Sequence, residues 1–210
     1  MHRATSDPTA AASAPSTRLE QLFIVLLATT SLTAQAEWQV LKSDRDTQLH
    51  GRSIAGERMS ELRVETPTKA TAQQLNAYLL GRYLDEPGDG IDRKFISRSA
   101  THAEWTDQIK TPIVSQRCAT TRMDASPAQA STPNIVRFES VDRRPLGQPQ
   151  DCVPLRTRGT WELVTVATGT IVRYTVFTDP GGSVPAFLLR GALETDALQR
   201  AVRVAQEASR

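Results

Sequence analysis

The stretch TGTIVRYTVFTDPGGSVPAFLLR, residues 168–190, decides the fold of this chain. Its first part reads as a β-strand, with apolar and polar residues in partial alternation. In the TDPGG run that follows, Asp179 can accept backbone hydrogen bonds, Pro180 fixes its own φ, and the two glycines allow positive φ. We therefore predict a sharp corner that leads into a short helix, capped by Ser183 and holding Pro185 in its first turn.

A closing amphipathic helix is predicted after this corner. We expect it to begin after Gly191, and we interpret Gly191 as part of a small-residue hinge. The residues on its predicted apolar face are Leu193, Ala197, Leu198, Ala201, Val202, Ala205 and Ala208, and those on the opposite face are Gln199, Arg200, Arg203 and Gln206.

The chain before residue 168 predicts a series of strands interrupted by one helix. Thr71 precedes a run with helical spacing from Leu75 to Tyr83, and this helix is expected to end in DEPGDG, residues 85–90. The segments predicted as strands are WQVLKSD, TQLHGRSI and SELRVETP before the helix, and KFISRS, HAEWTDQIK, IVSQRCATTRM, NIVRFESV and RTRGTWELVTV after it. This order predicts an α+β fold in which one curved antiparallel sheet wraps around the last helix.

The N-terminal segment has the pattern of a secretion signal. Residues 22–27 read LFIVLL and are followed by small residues that end in Ala34-Gln35-Ala36. The apolar core is short for a membrane-spanning helix. We therefore expect residues 1–36 to be a signal peptide with an extended leading region, cleaved after Ala36. Residues 37–210 would then form one exported domain, periplasmic or secreted.

The leading region of this segment departs from the usual signal pattern. A signal normally begins with a net positive charge, whereas here Asp7 and Glu20 offset Arg3 and Arg18. A translation start nearer Arg18 explains the departure. The alternative is that the apolar run forms a buried helix of the domain.

The last third of the chain resembles the START (StAR-related lipid-transfer) family, in particular its small bacterial exported members. The motifs that carry the resemblance are GTW at 159–161, TGTIVRYTVFTDPGG at 168–182 and SVPAFLLR at 183–190. Residues 104–122 are also similar to a family stretch in which a strand reaches a Pro and then an Arg-Asp pair. Here Arg117 supplies the Arg, whereas Cys118 replaces the Asp and Ile113 replaces an aromatic. The resemblance covers residues 38–210 in order and is specific in the last third.

The resemblance implies a helix-grip fold of the START-like superfamily, in which the sheet grips the C-terminal helix around a tunnel for a sterol, phospholipid or other apolar molecule. Ligand sites of this kind are mostly apolar, with a few polar groups that orient the ligand. Arg122 or Arg173 is expected to form the polar end. The candidate apolar lining is Trp105, Phe138, Trp161, Tyr174, Phe187, Leu188, Leu193, Leu198 and Val202, with ordinary core packing as the alternative for each.

These observations favour a monomeric lipid carrier or sensor with transient contact to a membrane surface. An enzyme of the same superfamily, cyclase- or hydrolase-like, is the alternative and needs a buried carboxylate or histidine in the cavity. We find no catalytic or cofactor motif, and the pairs Asp44-Arg45, Asp92-Arg93 and Asp142-Arg143 fall at predicted turns, where solvated charge explains them. A third hypothesis is a structural partner of an envelope complex, with a collapsed cavity and an outer apolar patch.

The cysteines, histidines and net charge bear on whether the protein contains a disulfide, binds a metal or binds nucleic acid. In an oxidising compartment Cys118 and Cys152 either form a disulfide or stay apart, one in a strand and one in a loop. His50 and His102 lie far from both cysteines in sequence, so no metal site is predicted. The 25 Lys and Arg residues nearly balance the 23 Asp and Glu residues, with no long basic run. This balance argues against a nucleic-acid partner.

Overall fold

The strands and helices of the domain are described by a computed structural model over residues 36–110, 115–126, 134–141 and 152–210. Residues 1–35 of the predicted signal sequence, Ile113, the pair Asp142-Arg143 and most of the two long hairpin loops lie outside the described residues. Within the described ranges, no helix combines the length and the apolar character that crossing a membrane requires.

A ten-stranded sheet with a long C-terminal helix forms the domain, and the predicted α+β helix-grip class is confirmed. The strands are β1 (Gln39–Asp44), β2 (Thr47–Arg52), β3 (Glu61–Thr68), β4 (Ile91–Arg98), β5 (His102–Ile109), β6 (Arg117–Ala125), β7 (Asn134–Val141), β8 (Val153–Pro154), β9 (Arg156–Val166) and β10 (Gly169–Asp179). The helices are α1 (Ala72–Leu80), α2 (Arg82–Asp85) and α3 (Ala186–Glu207). The order across the sheet is β1-β2-β3-β10-β9-β7-β6-β5-β4 with antiparallel pairing, and the unpredicted β8 pairs with β6 in parallel.

The two faces of the sheet differ in burial, as the alternating sequence requires. In β3, Leu62, Val64 and Thr66 are buried, whereas Arg63 and Glu65 between them are half-buried. Successive side chains of a strand point to opposite faces, so each strand contributes one set to each side. We call the face that packs against α3 the inner face and the opposite one the outer face. The hydrophobic core lies between the inner face and the helices.

Both longer helices are fixed by local sequence features. α1 begins with a capping box, in which Thr71 Oγ1 accepts from the Gln74 N–H at 3.2 Å and Gln74 Oε1 accepts from the Thr71 N–H at 2.9 Å. The buried face of α3 is made of Ala197, Ala201, Val204 and Ala205. Small residues there let the helix lie close to the sheet, and Thr68 Oγ1 donates to the Ala205 carbonyl at 2.6 Å.

The corner between β10 and α3 has the predicted backbone. Gly181 and Gly182 adopt φ of 66° and 68°, which an ordinary residue avoids. Asp179 Oδ1 accepts from the Gly181 N–H at 3.0 Å and from Arg58 Nη2 at 2.7 Å. Arg58 also donates to the carbonyls of Gly181, Gly182 and Val184. One arginine from the β2–β3 connection therefore ties the whole corner together.

Two predictions about the start of α3 were wrong. Pro185, with φ of −59°, occupies the N-cap position without a side-chain cap, so Ser183 does not cap the helix. The helix then continues through Gly191, and Thr195 Oγ1 donates to the Gly191 carbonyl at 2.8 Å. The glycine pair changes the direction of the chain, and α3 begins after three further residues, at Ala186, so Gly191 lies within the helix and is not its start.

Asp179 is expected to make the fold acid-sensitive. Partial burial alone would raise the pKa of its carboxyl, but hydrogen bonds from Arg58, Arg156 and the Gly181 N–H outweigh burial and lower it from 3.8 to about 2. A lowered folded-state pKa means that this stabilisation is present above about pH 4 and is lost as the pH falls towards about 2. We expect Asp179→Asn to lower the free energy of unfolding by about 2 kcal/mol at neutral pH.

Denaturant unfolding of wild type and variant at several pH values measures this effect. The difference in free energy of unfolding between wild type and Asp179→Asn should shrink as the pH falls from about 4 towards about 2. Asp85→Asn is the control, because Asp85 is exposed and its ion pair with Arg98, at 2.6 Å, should contribute less than about 1 kcal/mol. An Asp179→Asn effect that stays constant down to the lowest pH would contradict the assignment.

Candidate functional site

A cavity of about 400 Å³ lies between the inner face of the sheet and α3. A volume of this size suits one small molecule. The apolar side chains along its wall are Ile91, Trp105, Ile109, Ala119, Met123, Phe138, Leu155, Trp161, Tyr174, Leu189, Ala192 and Leu193. From α3 the lining residues are Leu189, Ala192, Leu193, Asp196 and Arg200, whereas the buried alanines of the helix do not line the cavity.

Aromatic rings form one continuous wall of the cavity. Trp161 and Tyr174 are register partners on β9 and β10, and their rings stack with centroids 3.9 Å apart. Phe138 stacks on Tyr174 at 6.0 Å, and Tyr83 meets Trp161 edge-on at 5.7 Å. Burial raises the pKa of Tyr174 well above its usual value, so its phenol stays neutral. The wall therefore presents flat, mainly apolar surface to a ligand.

A buried ion pair supplies a polar group on the strand side of the cavity. Arg93 on β4 and Asp107 on β5 are register partners, and the guanidinium binds both carboxylate oxygens at 2.7 Å. Trp105 Nε1 donates to Asp107 Oδ2 at 2.9 Å, and Arg93 Nη1 donates to the Leu84 carbonyl at 3.2 Å. Such two-fold pairing fixes the orientation of both groups.

A second ion pair lies on the helix side. Arg200 Nε donates to Asp196 Oδ2 at 2.7 Å, one helical turn away, and Arg200 Nη1 donates to the Tyr83 hydroxyl at 3.3 Å. Tyr83 first, and then the Asp196 carboxylate, raise the pKa of Arg200 well above its usual value despite the cost of burial. Arg200 therefore carries its charge at the cavity wall.

Arg117 joins the cavity to the corner that precedes α3. It is 4% exposed, and its Nε donates to the Pro180 carbonyl at 2.7 Å, while Nη1 donates to the Ser115 carbonyl. The next residue, Cys118, forms a disulfide with Cys152, which holds β8 beside β6. The sequence left open whether these two cysteines form a disulfide or stay apart, and the structure contains the disulfide.

The structure brings five of the predicted site residues together at the cavity. They are Trp105, Phe138, Trp161, Tyr174 and Leu193. The first four are buried, on β5, β7, β9 and β10, and Leu193 reaches the cavity from α3.

Neither arginine predicted for the polar end reaches the cavity. Arg173 lies on the outer face, paired with Glu65 at 2.7 Å and Glu162 at 2.9 Å. Arg122 is also on the outer face, paired with Glu139. Arg173 directly precedes Tyr174 on β10, so the two side chains must point to opposite faces of the sheet. The prediction was wrong on this point.

Four predicted residues of the C-terminal region also lie away from the cavity wall. Phe187 and Leu188, in the first turn of α3, are 73% and 62% exposed. Leu198 packs against the hydrophobic core, and Val202 is half-buried. Leu198 follows the cavity residue Asp196 by two positions, and Val202 follows Arg200 by two. Two residues correspond to about 200° of rotation around the helix, so both side chains point away from the cavity.

The polar groups of the cavity were missed, although two signals for them exist. Asp107 is two residues after Trp105 on one strand, so it must share the inner face with Trp105. Arg93 was assigned to a turn, but β4 begins at Ile91, directly after Gly90 with φ of 75°. Arg200 was placed on the solvent side of the helix. Nothing in the helical pattern marks the open space that accommodates it.

No metal site is formed in the described part of the chain. The described residues contain no group of three or more His, Cys, Asp or Glu side chains that could hold a metal ion. His102 instead hydrogen-bonds Asp124 Oδ1 at 2.7 Å on the outer face.

Solved structures share this fold, among them two that are named as lipid transfer proteins. The STAR-related lipid transfer protein from Xanthomonas axonopodis is 22% identical, with a TM-score of 0.70 over 82% of this chain and 99% of that chain. Human STARD10 is 16% identical, with a TM-score of 0.65 over 80% and 72%. Human StAR-related lipid transfer protein 5 is 14% identical, with a TM-score of 0.63 over 84% and 86%. No protein-family model and no curated sequence matches the chain. At these identities the predicted START-like resemblance is confirmed for the fold.

Proposed function

We propose that the domain binds one small apolar molecule in the cavity beneath α3 and carries or senses it outside the cytoplasm. The observation that carries the proposal is an open cavity of about 400 Å³ with a stacked aromatic wall and two fixed ion pairs. The aromatic wall favours a flat or ring-containing apolar body. The fold that this chain shares with named lipid-transfer proteins supports the same conclusion.

The polar end of the ligand is assigned to the pair Arg93 and Asp107. Both groups are buried, and their mutual hydrogen bonds leave Arg93 able to donate further, since a guanidinium has five N–H donors. A hydroxyl or carbonyl oxygen of the ligand at this point could accept a hydrogen bond from one of the remaining Arg93 N–H groups. We infer a ligand with one polar group on an otherwise apolar body.

We also propose that the domain binds its ligand without transforming it. The enzyme alternative requires a carboxylate in the cavity, and Asp107 and Asp196 are there. Both are bound by arginines, Asp107 at 2.7 Å on each oxygen and Asp196 at 2.7 Å. The carboxylate oxygens that these arginines bind are therefore already engaged by protein hydrogen-bond donors. This geometry favours binding over acid–base chemistry.

The disulfide supports an extracytoplasmic location. Disulfides persist in oxidising compartments such as the bacterial periplasm. The bond between Cys118 and Cys152 therefore agrees with the signal sequence predicted over residues 1–36.

Native mass spectrometry and lipid extraction of the exported protein test the proposal. We expect an apolar species to co-purify in a one-to-one ratio and to be recovered chemically unchanged. Absence of any bound species, together with no uptake of a fluorescent sterol or fluorescent fatty acid, would contradict the carrier function. Recovery of a modified molecule from an added substrate would favour the enzyme.

Blocking the cavity should abolish binding without unfolding the protein. Ala192 lines the cavity from α3 yet is exposed, so Ala192→Trp places an indole in the opening at little cost to the core. We expect at least about tenfold weaker binding of the fluorescent probes, equivalent to 1.4 kcal/mol or more. Ala77→Trp on α1 is the matched control, because Ala77 is exposed and does not line the cavity. Equal probe affinity in both variants would place the ligand elsewhere.

A further inference from the structure

The outer face of the sheet carries a groove of about 630 Å³, on the side opposite the cavity. The centre of the groove is formed by residues that lie opposite one another on neighbouring strands. Arg63 on β3 lies opposite Thr175 on β10, Thr175 lies opposite Thr160 on β9, and Thr160 lies opposite Arg137 on β7. All four residues line the groove. Two short hydroxyl side chains therefore form a floor, with one arginine at each end.

The spacing allows both arginines to reach the same small ligand. Three strand intervals separate Arg63 from Arg137, which is about 14 Å between their Cα atoms. Two arginine side chains that lean over the threonines can together span that distance. The hydroxyls of Thr160 and Thr175 lie beneath the midpoint and can each donate a hydrogen bond.

Arg63 is held in position but lacks an acidic partner. Its Nε donates to Thr175 Oγ1 at 3.3 Å, and its guanidinium lies 4.1 Å from the centre of the Trp38 ring. The Arg52 guanidinium lies 4.4 Å from the centre of the same ring. No carboxylate among the described residues is within ion-pair distance of Arg63. Burial, and then the charge of Arg173, lower the pKa of Arg63, while the charges of Glu162 and Glu65 act in the opposite direction.

Arg137, at the other end of the groove, is also available to bind an anion. It is exposed, and its hydrogen bond within the described ranges goes to Ser126 Oγ at 3.5 Å. Across those ranges it has no carboxylate partner.

The acidic residues of the groove are already paired. Glu61 is bound by Arg52, Glu139 by Arg122, and Glu162 by Arg173 at 2.9 Å. Asp124 accepts from His102 at 2.7 Å and lies 3.4 Å from Arg122. Arg122 is shared by Glu139 and Asp124, and Asp124 lies opposite Arg137 in the pairing of β6 with β7 without forming an ion pair with it. Arg63 and Arg137 are the arginines of the groove that form no ion pair within the described ranges, whereas Arg52, Arg122 and Arg158 each have a carboxylate partner.

We propose that this groove binds a phosphate group between Arg63 and Arg137, above the hydroxyls of Thr160 and Thr175. Guanidinium groups suit phosphate because their planar N–H pairs match its oxygens, and the threonines add neutral donors. The phosphate belongs either to a soluble phosphate ester or to an anionic lipid headgroup. The site is on the opposite face from the cavity, so it does not depend on the proposed apolar ligand.

Titration calorimetry at low ionic strength with inorganic phosphate and with glycerol phosphate tests the site. We expect saturable one-to-one binding that weakens by at least about tenfold in Arg137→Gln and in Arg63→Gln, since each removes a charged hydrogen-bond donor. Arg45→Gln is the matched control, because it removes the same charge from an exposed turn outside the groove. Arg137 is exposed, so its variant remains informative if Arg63→Gln is unstable.

Equal phosphate affinity in Arg137→Gln and Arg45→Gln would overturn the proposal, as would the absence of saturable binding by wild type in the millimolar range. A second arm measures sedimentation with vesicles of phosphatidylcholine containing phosphatidylglycerol. Vesicle binding that phosphate displaces and Arg137→Gln weakens assigns the phosphate to a lipid. Phosphate binding without vesicle binding assigns it to a soluble ester. Vesicle binding alone would overturn the proposal, because the protein would then sense surface charge only.

Discussion

Replacing Cys118 and Cys152 together by alanine is expected to lower the free energy of unfolding by about 3–4 kcal/mol, because their disulfide closes a loop across 34 positions. The bond also has a local role. β8 comprises two residues, and its pairing to β6 includes the Leu155 N–H to Cys118 carbonyl bond at 2.9 Å. So short a strand has few hydrogen bonds of its own, and we expect the covalent link to add to its stability. Denaturant unfolding of the oxidised wild type and the double variant measures the effect.

Reduction provides the control for this prediction. Dithiothreitol should lower the stability of the wild type to that of the double variant and leave the variant unchanged. Free-thiol titration of the exported protein under denaturing conditions should find no reactive cysteine. Two reactive thiols per chain would show that the bond is absent, and equal stability of wild type and variant would show that it does not stabilise the fold.

Gly181→Ala is expected to destabilise the domain by about 3–4 kcal/mol, through two costs that add. The first is the positive φ of 66°, which a residue with a Cβ adopts at a cost of about 1–2 kcal/mol. The second is steric, because the added Cβ would lie 2.4 Å from the Pro154 carbonyl oxygen. That oxygen belongs to backbone held by the disulfide and cannot move aside easily. The corner or β8 must shift.

Two further glycines give a graded control series. At Gly182 the φ is 68°, but the nearest atom to the added Cβ is Arg117 Nη2 at 3.4 Å, so Gly182→Ala should cost about 1–2 kcal/mol from the backbone alone. At Gly191 the new Cβ meets nothing within 4 Å, so Gly191→Ala should stabilise α3 by about 0.5–1 kcal/mol. Thermal unfolding of the three variants should follow this order. Equal stability of the Gly181 and Gly191 variants would show that the corner is not rigid.

Both predictions concern the same connection, and it explains how α3 is placed over the cavity. Arg117 binds the Pro180 carbonyl from β6, and Gly181 rests against β8. The disulfide joins β6 to β8, so it stabilises the surface on which the corner lies. A loosened corner would let α3 move relative to the aromatic wall, and we expect probe affinity to fall together with stability in the Gly181 variant.

Local sequence determined the order of elements and the shape of the corner. Alternation identified β3, β5 and β10, and the glycine pair after Asp179 predicted the positive φ values that Gly181 and Gly182 adopt. These features depend on residues close together in the chain, where sterics and side-chain periodicity act directly. The same alternation, applied to Tyr174, would also have excluded Arg173 from the cavity.

Only the tertiary structure decided which polar groups meet. Arg93 and Asp107 become partners because β4 and β5 pair in one register, and a shift of one residue would turn each side chain to the other face. Arg63 and Arg137 are 74 positions apart and share a groove because β3, β10, β9 and β7 are neighbours. The pairing of distant strands depends on the burial and packing of the whole sheet, which no local pattern contains. The sequence by itself therefore determined the framework and its aromatic wall, and strand register decided the polar chemistry on both faces.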